Sequence, residues 1–300
     1  MSAQLQPQTG AMVESASLLD DIVAQSKVAK TDTEHARAKD LITELVKEVM
    51  QGTVTVSDNL SATIDARIAE LDQLISTQLS EVMHAPAFQK LESSWTGLQY
   101  LCKQTSTGEQ MKIKVFNASK KELVKDFKTA IDFDQSALFK KVYEEEFGTF
   151  GGAPFATMIG DYEIGRGAED MYFVEQMSHV AAAAHAPFIS AASAEIMGLE
   201  SYTDLGKPRD LAKVFDTVEY AKWKSFRESD DSRYVALTLP RFLGRLPFDP
   251  KEGNTTEGFN YVESVDGTNH DKYLWVNAAY AFGARLTSAF ENYGWCAAIR

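Results

Sequence analysis

The apolar positions of the first hundred residues recur at helical spacing. A first helix is predicted to run to about Met50, with one apolar face formed by Leu41, Ile42, Leu45, Val46 and Val49. Thr31 and Glu34 match a capping box at its start, and Gln51-Gly52 stops it.

A second predicted helix carries one narrow apolar stripe and is polar elsewhere. Ser57 can cap it, and its apolar positions are Leu60, Ile64, Ile68, Leu71, Ile75, Leu79 and Val82. A narrow stripe of this length is typical of a helix that lies along a neighbour, in its own chain or in another. These positions are therefore a candidate interface. Pro86 ends or kinks the helix, and helical spacing then continues to a stop near Gly108 through Phe88, Leu91, Trp95, Leu98 and Cys102.

A short amphipathic segment precedes these helices. Leu18, Leu19, Ile22 and Val23 follow Ser17 at i, i+1, i+4 and i+5, and a polar stretch separates them from the next helix. Two interpretations remain open for this segment. It is either a ligand for the groove of a partner protein or a helix that packs on its own domain.

From Met111 onward the pattern changes to short β-rich runs that alternate with helical ones. This alternation predicts an α/β fold, in which a helical N-terminal region is followed by a mixed, substantially parallel sheet with flanking helices. Strands are predicted near residues 111–116, 155–161, 187–191 and 234–239. Helices are predicted after Ser119, near Asp134, Gly167 and Thr217, and over residues 272–293. Residues 244–271 are rich in Gly, Asn and Asp and are predicted to form an exposed loop.

Composition narrows the function classes. Thirty basic and 43 acidic residues give a net charge of −13, which argues against a nucleic-acid binder or an anionic-membrane binder. No secretory signal is recognisable, and no apolar run approaches the roughly 18 residues that a membrane-spanning helix needs. Cys102 and Cys296 are too few for a disulfide framework or a four-ligand zinc site, and they are predicted to pack in the core in a reducing compartment.

Two glycine-rich stretches are candidates for phosphate binding. Gly148-Thr149-Phe150-Gly151-Gly152 follows a predicted helix and lacks the Lys-Ser/Thr pair of a P-loop, so a tight turn is favoured. The stretch from Gly165 to Asp170 lies between a predicted strand and a helix but lacks the third glycine of the dinucleotide fingerprint. A helix start with acidic residues in its first turn is the favoured interpretation.

The remaining candidate chemistry is scattered. None of the five histidines falls into a chelating spacing, and His179 and His185 differ by about 600° of helical rotation. Glu144-Glu145-Glu146 is typical of a solvated helix face. No catalytic residue, metal site or cofactor is therefore predicted, and we favour a structural subunit of a large assembly. Two alternatives stay open, namely an α/β nucleotide- or phosphate-binding enzyme and a coiled-coil adaptor built on Leu60 to Val82.

Several motifs in order carry a resemblance to a known family. They include residues 88–98 (FQKLESSWTGL), 143–148 (YEEEFG), 185–192 (HAPFISAA), 231–234 (DSRY), 239–243 (LPRFL) and 293–296 (YGWC). From about Ser15 to Arg300 the chain resembles the large sheath subunit of the bacterial type VI secretion system, the TssC/VipB family.

This resemblance implies a non-enzymatic protein of the bacterial cytoplasm. It would pair with a small sheath subunit of the TssB/VipA type and polymerise with further copies into a helical sheath around an inner tube protein, which contraction propels. The resemblance also implies that a ClpV-type AAA+ ATPase binds the N-terminal helix, here Ser17, Leu18, Leu19, Asp20, Asp21, Ile22 and Val23. The implied division is a flexible N-terminus with the partner-binding helix (1–33), a helical region (34–108) and an α/β sheath body (109–300). Because family members extend past Trp295-Cys296, the chain is expected to be the N-terminal portion of such a subunit.

Overall fold

The computed structural model describes residues 31–50, 60–208, 210–254, 256–297 and 299. They divide into two compact units, the first formed by residues up to Thr77 together with Thr256–Tyr261, and the second by the rest. In the first unit, helix α1 (Asp32–Met50) begins at the predicted capping box. The N–H of Thr31 donates to Glu34 Oε2 at 3.1 Å, and the N–H of Glu34 donates to Thr31 Oγ1 at 3.4 Å. Of helix α2 (Leu60–Met83), the part up to Thr77 belongs to this unit.

The second unit contains helices, two small sheets and several short 3-10 turns. Its helices are α3 (Pro86–Gln104), α4 (Lys120–Thr129), α5 (Ala137–Phe139), which continues as a π-helix over Lys140–Phe147, α6 (Ala168–Ala183), α7 (Leu211–Val214), α8 (Ala221–Glu228) and α9 (Ala278–Tyr293). Its strands are β1 (Met158–Ile164), β2 (Phe188–Ala192), β3 (Val235–Thr238), β4 (Phe242–Leu243) and β5 (Trp275–Val276).

A three-stranded parallel sheet lies at the centre of this unit. Its order is β1-β2-β3, with Ile189 of β2 opposite Ile159 of β1 and Ala236 of β3. A second sheet pairs β4 and β5 antiparallel. The predicted α/β fold class is confirmed, and three of the four predicted strands lie within a few residues of their expected positions.

The fourth predicted strand is wrong. Residues 111–116 form no regular element, and Val115 and Phe116 are exposed. Strand propensity reflects how well side chains fit a pleated, half-buried surface, and within the described part of the chain no strand pairs with this run. The last helix also starts later than predicted, at Ala278, because Trp275 and Val276 pair with β4 and Asn277 caps the helix by accepting the N–H of Ala279 at 2.8 Å.

Two burial predictions also fail. The segment from 244 to 271 is not simply an exposed loop, because Tyr261 and Glu263 are almost completely buried. Cys102 and Cys296 are both exposed rather than packed in the core. Helical spacing gives the position of Cys102 around its helix, but only the packing partners decide which side of that helix faces solvent.

Helices cover both faces of the parallel sheet. On one face, Phe173, Val174 and Val180 of α6 are fully buried. The ring of Phe173 packs edge-on against that of Phe188 on β2, with 6.0 Å between the ring centroids. On the other face α9 lies against β1 and β2, and α3 lies against α9. All five residues of β2 are buried. A parallel strand that is covered on both faces has a continuous run of apolar residues, and this run made β2 recognisable in the sequence.

Glycines allow α3 and α9 to approach closely. A Cβ atom on Gly97 of α3 would lie 2.3 Å from the Tyr280 ring on α9. A Cβ atom on Gly283 of α9 would lie 2.3 Å from Ile159 Cδ1 on β1. The absence of a side chain at these two positions therefore sets the separation of the layers.

We expect Gly97→Ala to lower the free energy of unfolding by about 1–3 kcal/mol, because the added methyl group overpacks the contact with Tyr280. Urea denaturation followed by circular dichroism measures the change. Gly108→Ala is the matched control, since a Cβ atom there meets nothing within 4 Å. Equal losses of stability in the two variants would contradict the close packing of α3 on α9.

Candidate interaction surface

The N-terminal segment predicted to bind an ATPase, Ser17 to Val23, lies outside the described residues. Its role stays a prediction. The predicted helix cap Ser57 also lies outside the described residues.

The apolar stripe of α2 is largely exposed to solvent. Ile64, Ile68, Leu71 and Ile75 are 40–52% exposed, and Leu79 is half-buried, while the side chain of Leu60 is outside the description. Leu74, between these positions, is 55% exposed and widens the apolar surface. Apolar side chains arranged in one continuous row on a helix are typical of an interaction surface.

Helix α3 presents a second exposed apolar row. Phe88, Leu91 and Trp95 recur at i, i+3 and i+7 and are 39%, 56% and 65% exposed. We call these three residues the α3 stripe. The other side of the helix is packed, with Gly97 and Leu101 buried against α9. The helical spacing in the sequence placed all these positions in one pattern and did not distinguish the packed side of α3 from its exposed side.

Hydrogen bonds fix the rotation of α3. Ser93 Oγ donates to the Trp275 carbonyl at 2.7 Å, and Ser94 Oγ donates to Asp161 Oδ2 at 2.5 Å. Asn277 Nδ2 donates to the other carboxylate oxygen of Asp161 at 3.3 Å. Burial, together with the charge of Asp161, raises the pKa of Tyr280 and keeps its phenol neutral in this layer. With its inner side held in this way, α3 displays the stripe in one orientation.

A partly buried charge cluster ties α3 to the segment after β4. Arg245 donates through Nε to Glu92 of α3 at 2.6 Å and through Nη1 to Glu263 at 2.7 Å. The Glu263 side chain is only 2% exposed and also accepts the N–H of Phe248 at 3.0 Å. His84 Nε2, between α2 and α3, lies 3.1 Å from Glu263 Oε1. We call Arg245, Glu263, Glu92 and His84 the charge cluster.

The electrostatics of this cluster favour a charged Glu263. Burial alone would raise the pKa of Glu263, but the hydrogen bonds from Arg245 and the Phe248 N–H hold it below its usual value. The guanidinium pKa of Arg245 is raised, because the opposing effect of its burial is outweighed by Glu263 and Glu92. A buried carboxylate of this kind depends on its cation, since removing one partner leaves an uncompensated charge.

The two glycine-rich stretches form hydrogen bonds within the fold. The turn at Gly148–Gly152 is closed by the Gly152 N–H, which donates to the Thr149 carbonyl at 3.0 Å, and Gly151 adopts a left-handed φ of 82°. The N–H of Gly165 donates to Asp170 Oδ2 at 2.7 Å, just before α6 begins. The predicted tight turn and helix start are both confirmed.

The histidines and the acidic residues Glu144, Glu145 and Glu146 do not come together in one site. His179 lies 2.7 Å from Asp231 Oδ2 and His185 lies 3.2 Å from the Tyr234 hydroxyl, so each has its own partner. Glu144 and Glu145 are exposed as predicted, but Glu146 is half-buried and pairs with Lys114. Within the described residues, no group of three His, Cys, Asp or Glu side chains is placed to hold a metal ion. None of the helices that the structure describes combines the length and apolar character of a bilayer-spanning helix.

Comparison with known proteins gives two matches. Residues 65–300 match the family VipB, described as EvpB/VC_A0108, tail sheath N-terminal domain. The chain is also 43% identical over 300 residues to the type VI secretion system sheath protein TssC1 of Pseudomonas aeruginosa strain PAO1. That alignment covers 99% of this chain and 59% of the relative, so the chain spans about three fifths of the relative's length. Both matches agree with the resemblance carried by the sequence motifs.

We expect Arg245→Ala to destabilise the protein by about 3–5 kcal/mol at pH 7, because it leaves Glu263 charged, buried and without its cation. Chemical denaturation measures the loss. Arg285→Ala is the control, since Arg285 is exposed and forms no ion pair within the described part of the chain. If the two variants unfold at the same denaturant concentration, the charge cluster does not hold this unit together.

The stability difference between the wild type and Arg245→Ala should depend on pH. The pKa of Glu263 is lower in the folded state than in the unfolded state, so its contribution is present above the unfolded pKa of about 4.3. It is lost as pH falls through the lower folded-state value. Denaturation midpoints measured from pH 7 to pH 3 should therefore begin to converge as the pH falls below about 4.3. A constant difference over this range would contradict the assignment of the charge to Glu263.

Proposed function

We propose a structural function for this chain, and the premise is that it belongs to the VipB family of tail sheath N-terminal domains. In this proposal it forms the N-terminal part of a large subunit of a type VI secretion sheath. The chain pairs with a small sheath subunit of the TssB/VipA type, and the pairs polymerise with further copies around an inner tube protein. Contraction of this polymer in the bacterial cytoplasm propels the tube.

The observation that carries the proposal is the α3 stripe. Three large apolar side chains are displayed in a row on a helix whose other side is fixed by Gly97, the Ser93 and Ser94 hydrogen bonds and the charge cluster. A surface that is held in one orientation and carries two aromatic side chains suits a protein partner, because little conformational entropy is lost on docking. The exposed stripe of α2 from Ile64 to Ile75 supports the same role and is a proposed second contact.

The proposed mechanism needs no chemistry in this chain. Folded subunits rearrange between two packings, and the stored energy resides in the interfaces between them. Contracted sheaths are recycled by a ClpV-type AAA+ ATPase, which hydrolyses ATP and binds Ser17 to Val23. The spacing of Leu19 and Ile22 beside Asp20 and Asp21 supports this assignment, since such a segment suits a helix-in-groove contact. The division into residues 1–33, 34–108 and 109–300 remains part of the proposal.

The alternative is a nucleotide- or phosphate-binding enzyme that uses Gly148–Gly152 or Gly165–Gly167. The internal hydrogen bonds of Gly152 and Gly165 speak against it, because their N–H groups are already paired. Saturable nucleotide binding at micromolar concentration that is lost in Gly151→Val or Gly167→Val would favour the enzyme over the sheath subunit.

Replacing both Leu91 and Trp95 by Ala should weaken binding to the small sheath subunit about tenfold or more, because central aromatic and aliphatic anchors dominate interfaces. Co-expression with that subunit followed by size-exclusion chromatography measures the loss. The fold should survive, since both side chains are mostly exposed. Gln99→Ala, at another exposed position of α3, is the control. Undiminished co-elution of the double variant would remove the α3 stripe from the interface.

Replacing Leu19 and Ile22 by Asp should abolish binding to the N-terminal domain of a ClpV-type ATPase, because charged side chains cannot enter an apolar groove. Isothermal titration calorimetry with the purified chain measures the affinity. Gln25→Asp adds charge close by without removing an apolar contact and serves as the control. An unchanged affinity of the Leu19/Ile22 variant would exclude the segment as the ATPase ligand.

A further inference from the structure

Residues 112–117 (KIKVFN) form a run whose backbone is unpaired. Within the described residues, neither the N–H group nor the carbonyl group of any residue in this run forms a hydrogen bond. All of these residues are exposed except Ile113, which is half-buried. Backbone N–H and C=O groups are strong hydrogen-bonding groups, and these are free to pair with another chain. We call residues 112–117 the open edge.

The side chains of the open edge favour a β-strand. Ile113, Val115 and Phe116 are β-branched or aromatic residues of the kind that is enriched in strands. Val115 is 68% exposed and Phe116 is 54% exposed, so packing within the described part of the chain does not account for either side chain. An exposed run with strand-forming residues and free backbone groups is a template for pairing with another strand.

Contacts with the fold hold the open edge at both ends. Ile113 packs against a buried cluster formed by residues of α3, β5 and α9, and Lys114 pairs with Glu146. Just past the other end, the hydroxyl of Tyr162 on β1 donates to the carbonyl of Ala118 at 2.7 Å. Because these contacts limit the motion of the run, less conformational entropy is lost when a second strand pairs with it.

The charge around the open edge favours an acidic partner. Residues 110–121 contain four lysines and no Asp or Glu, although the whole chain has a net charge of −13. Lys114 and Lys120 pair with carboxylates of the fold, but Lys112 and Lys121 form no ion pair within the described residues. This part of the surface is therefore locally positive and attracts negative side chains.

The alternation of side chains defines the pattern that a partner strand needs. In a strand, Lys112 and Lys114 share one face, and Ile113 and Val115 share the other. Opposite charges that face each other across two strands are stabilising, and so are apolar pairs. A strand that fits the open edge therefore places acidic residues beside the lysines and apolar residues beside Ile113 and Val115.

We propose that the open edge binds a strand of another protein chain in which acidic and apolar residues alternate. The backbone groups of the two strands pair with each other, and the acidic side chains lie beside Lys112 and Lys114. Addition of a strand to an exposed edge is a known recognition mode, in which main-chain hydrogen bonds give affinity and alternate side chains give specificity. This surface uses none of the residues of the α2 and α3 stripes and goes beyond the contacts proposed for the sheath.

A second copy of this chain fits the open edge less well. Pairing of two identical edges would bring Lys112 and Lys114 of both copies together, and like charges across two strands are destabilising. Lysines on an exposed strand commonly protect a protein against such self-pairing. A nucleic acid is also disfavoured, because the net charge of −13 repels its phosphates.

The test uses the peptide N-acetyl-Thr-Glu-Val-Glu-Val-Thr-amide as the probe. Isothermal titration calorimetry with the chain of 300 residues should give saturable binding. A peptide with both Glu residues replaced by Lys should bind at least about tenfold more weakly, because the charge pairs are lost. The acidic peptide N-methylated at every internal residue should be weakened to a similar degree, since its backbone donors are lost. No saturable binding of the acidic peptide, or equal binding of the N-methylated one, would overturn the proposal.

Hydrogen exchange followed by mass spectrometry locates the bound peptide. In the chain alone, the amides of residues 112–117 should exchange without protection. A saturating concentration of the acidic peptide should slow their exchange at least about tenfold, because paired amides exchange only when the strand opens. Protection confined to other segments, such as residues 86–104 of α3, would overturn the proposal.

Charge reversal tests the specificity of the open edge. Lys112→Glu should weaken binding of the acidic peptide about fivefold and strengthen binding of the lysine peptide, and the fold should survive because Lys112 is exposed. Lys140→Glu makes the same change at an exposed lysine outside the open edge and should alter neither affinity. Unchanged affinities in Lys112→Glu would overturn the proposal. Dimerisation of the chain that the peptide blocks, or displacement of the peptide by a single-stranded oligonucleotide, would overturn it in favour of a second copy or a nucleic acid.

Discussion

The complete burial of β2 is the constraint on which the second unit depends. A parallel strand with no exposed side chain needs cover on both faces of the sheet, and α6 and α9 provide it. Once α9 is placed, Gly97 and Gly283 allow α3, α9 and β1 to stack at short distance. The position of α3 thus depends both on the covered sheet and on its own Gly97.

This arrangement explains how an apolar row can remain exposed in a stable protein. The side of α3 that packs on α9 and β5 does not include Phe88, Leu91 and Trp95, which stay exposed. The charge cluster around Arg245 holds the following chain segment against α3 without covering that row. An exposed apolar row of this kind is typical of an interaction surface, which is the role that we propose for the α3 stripe.

The candidate site could be anticipated only in part. The periodicity of α2 and α3 identified their apolar positions, since residues at i, i+3 and i+4 share a face whatever the rest of the fold does. The charge cluster was missed, because Glu92 and Glu263 are far apart in sequence and no local pattern links them to Arg245. The only available signal was the position of Arg245 and Glu263 as single charged residues next to apolar ones.

The sequence by itself determined the features that depend on residues close together in the chain. The capping box of α1, the period of each helix, the buried run of β2 and the family motifs all depend on residues within one or two turns or along one strand. Tertiary structure decided the rest. It left residues 111–116 without a strand partner, exposed Cys102 and enclosed the donor groups of Tyr220 and Trp223. The physical reason is that burial and strand pairing are properties of two surfaces in contact, and a local sequence pattern describes only one of them.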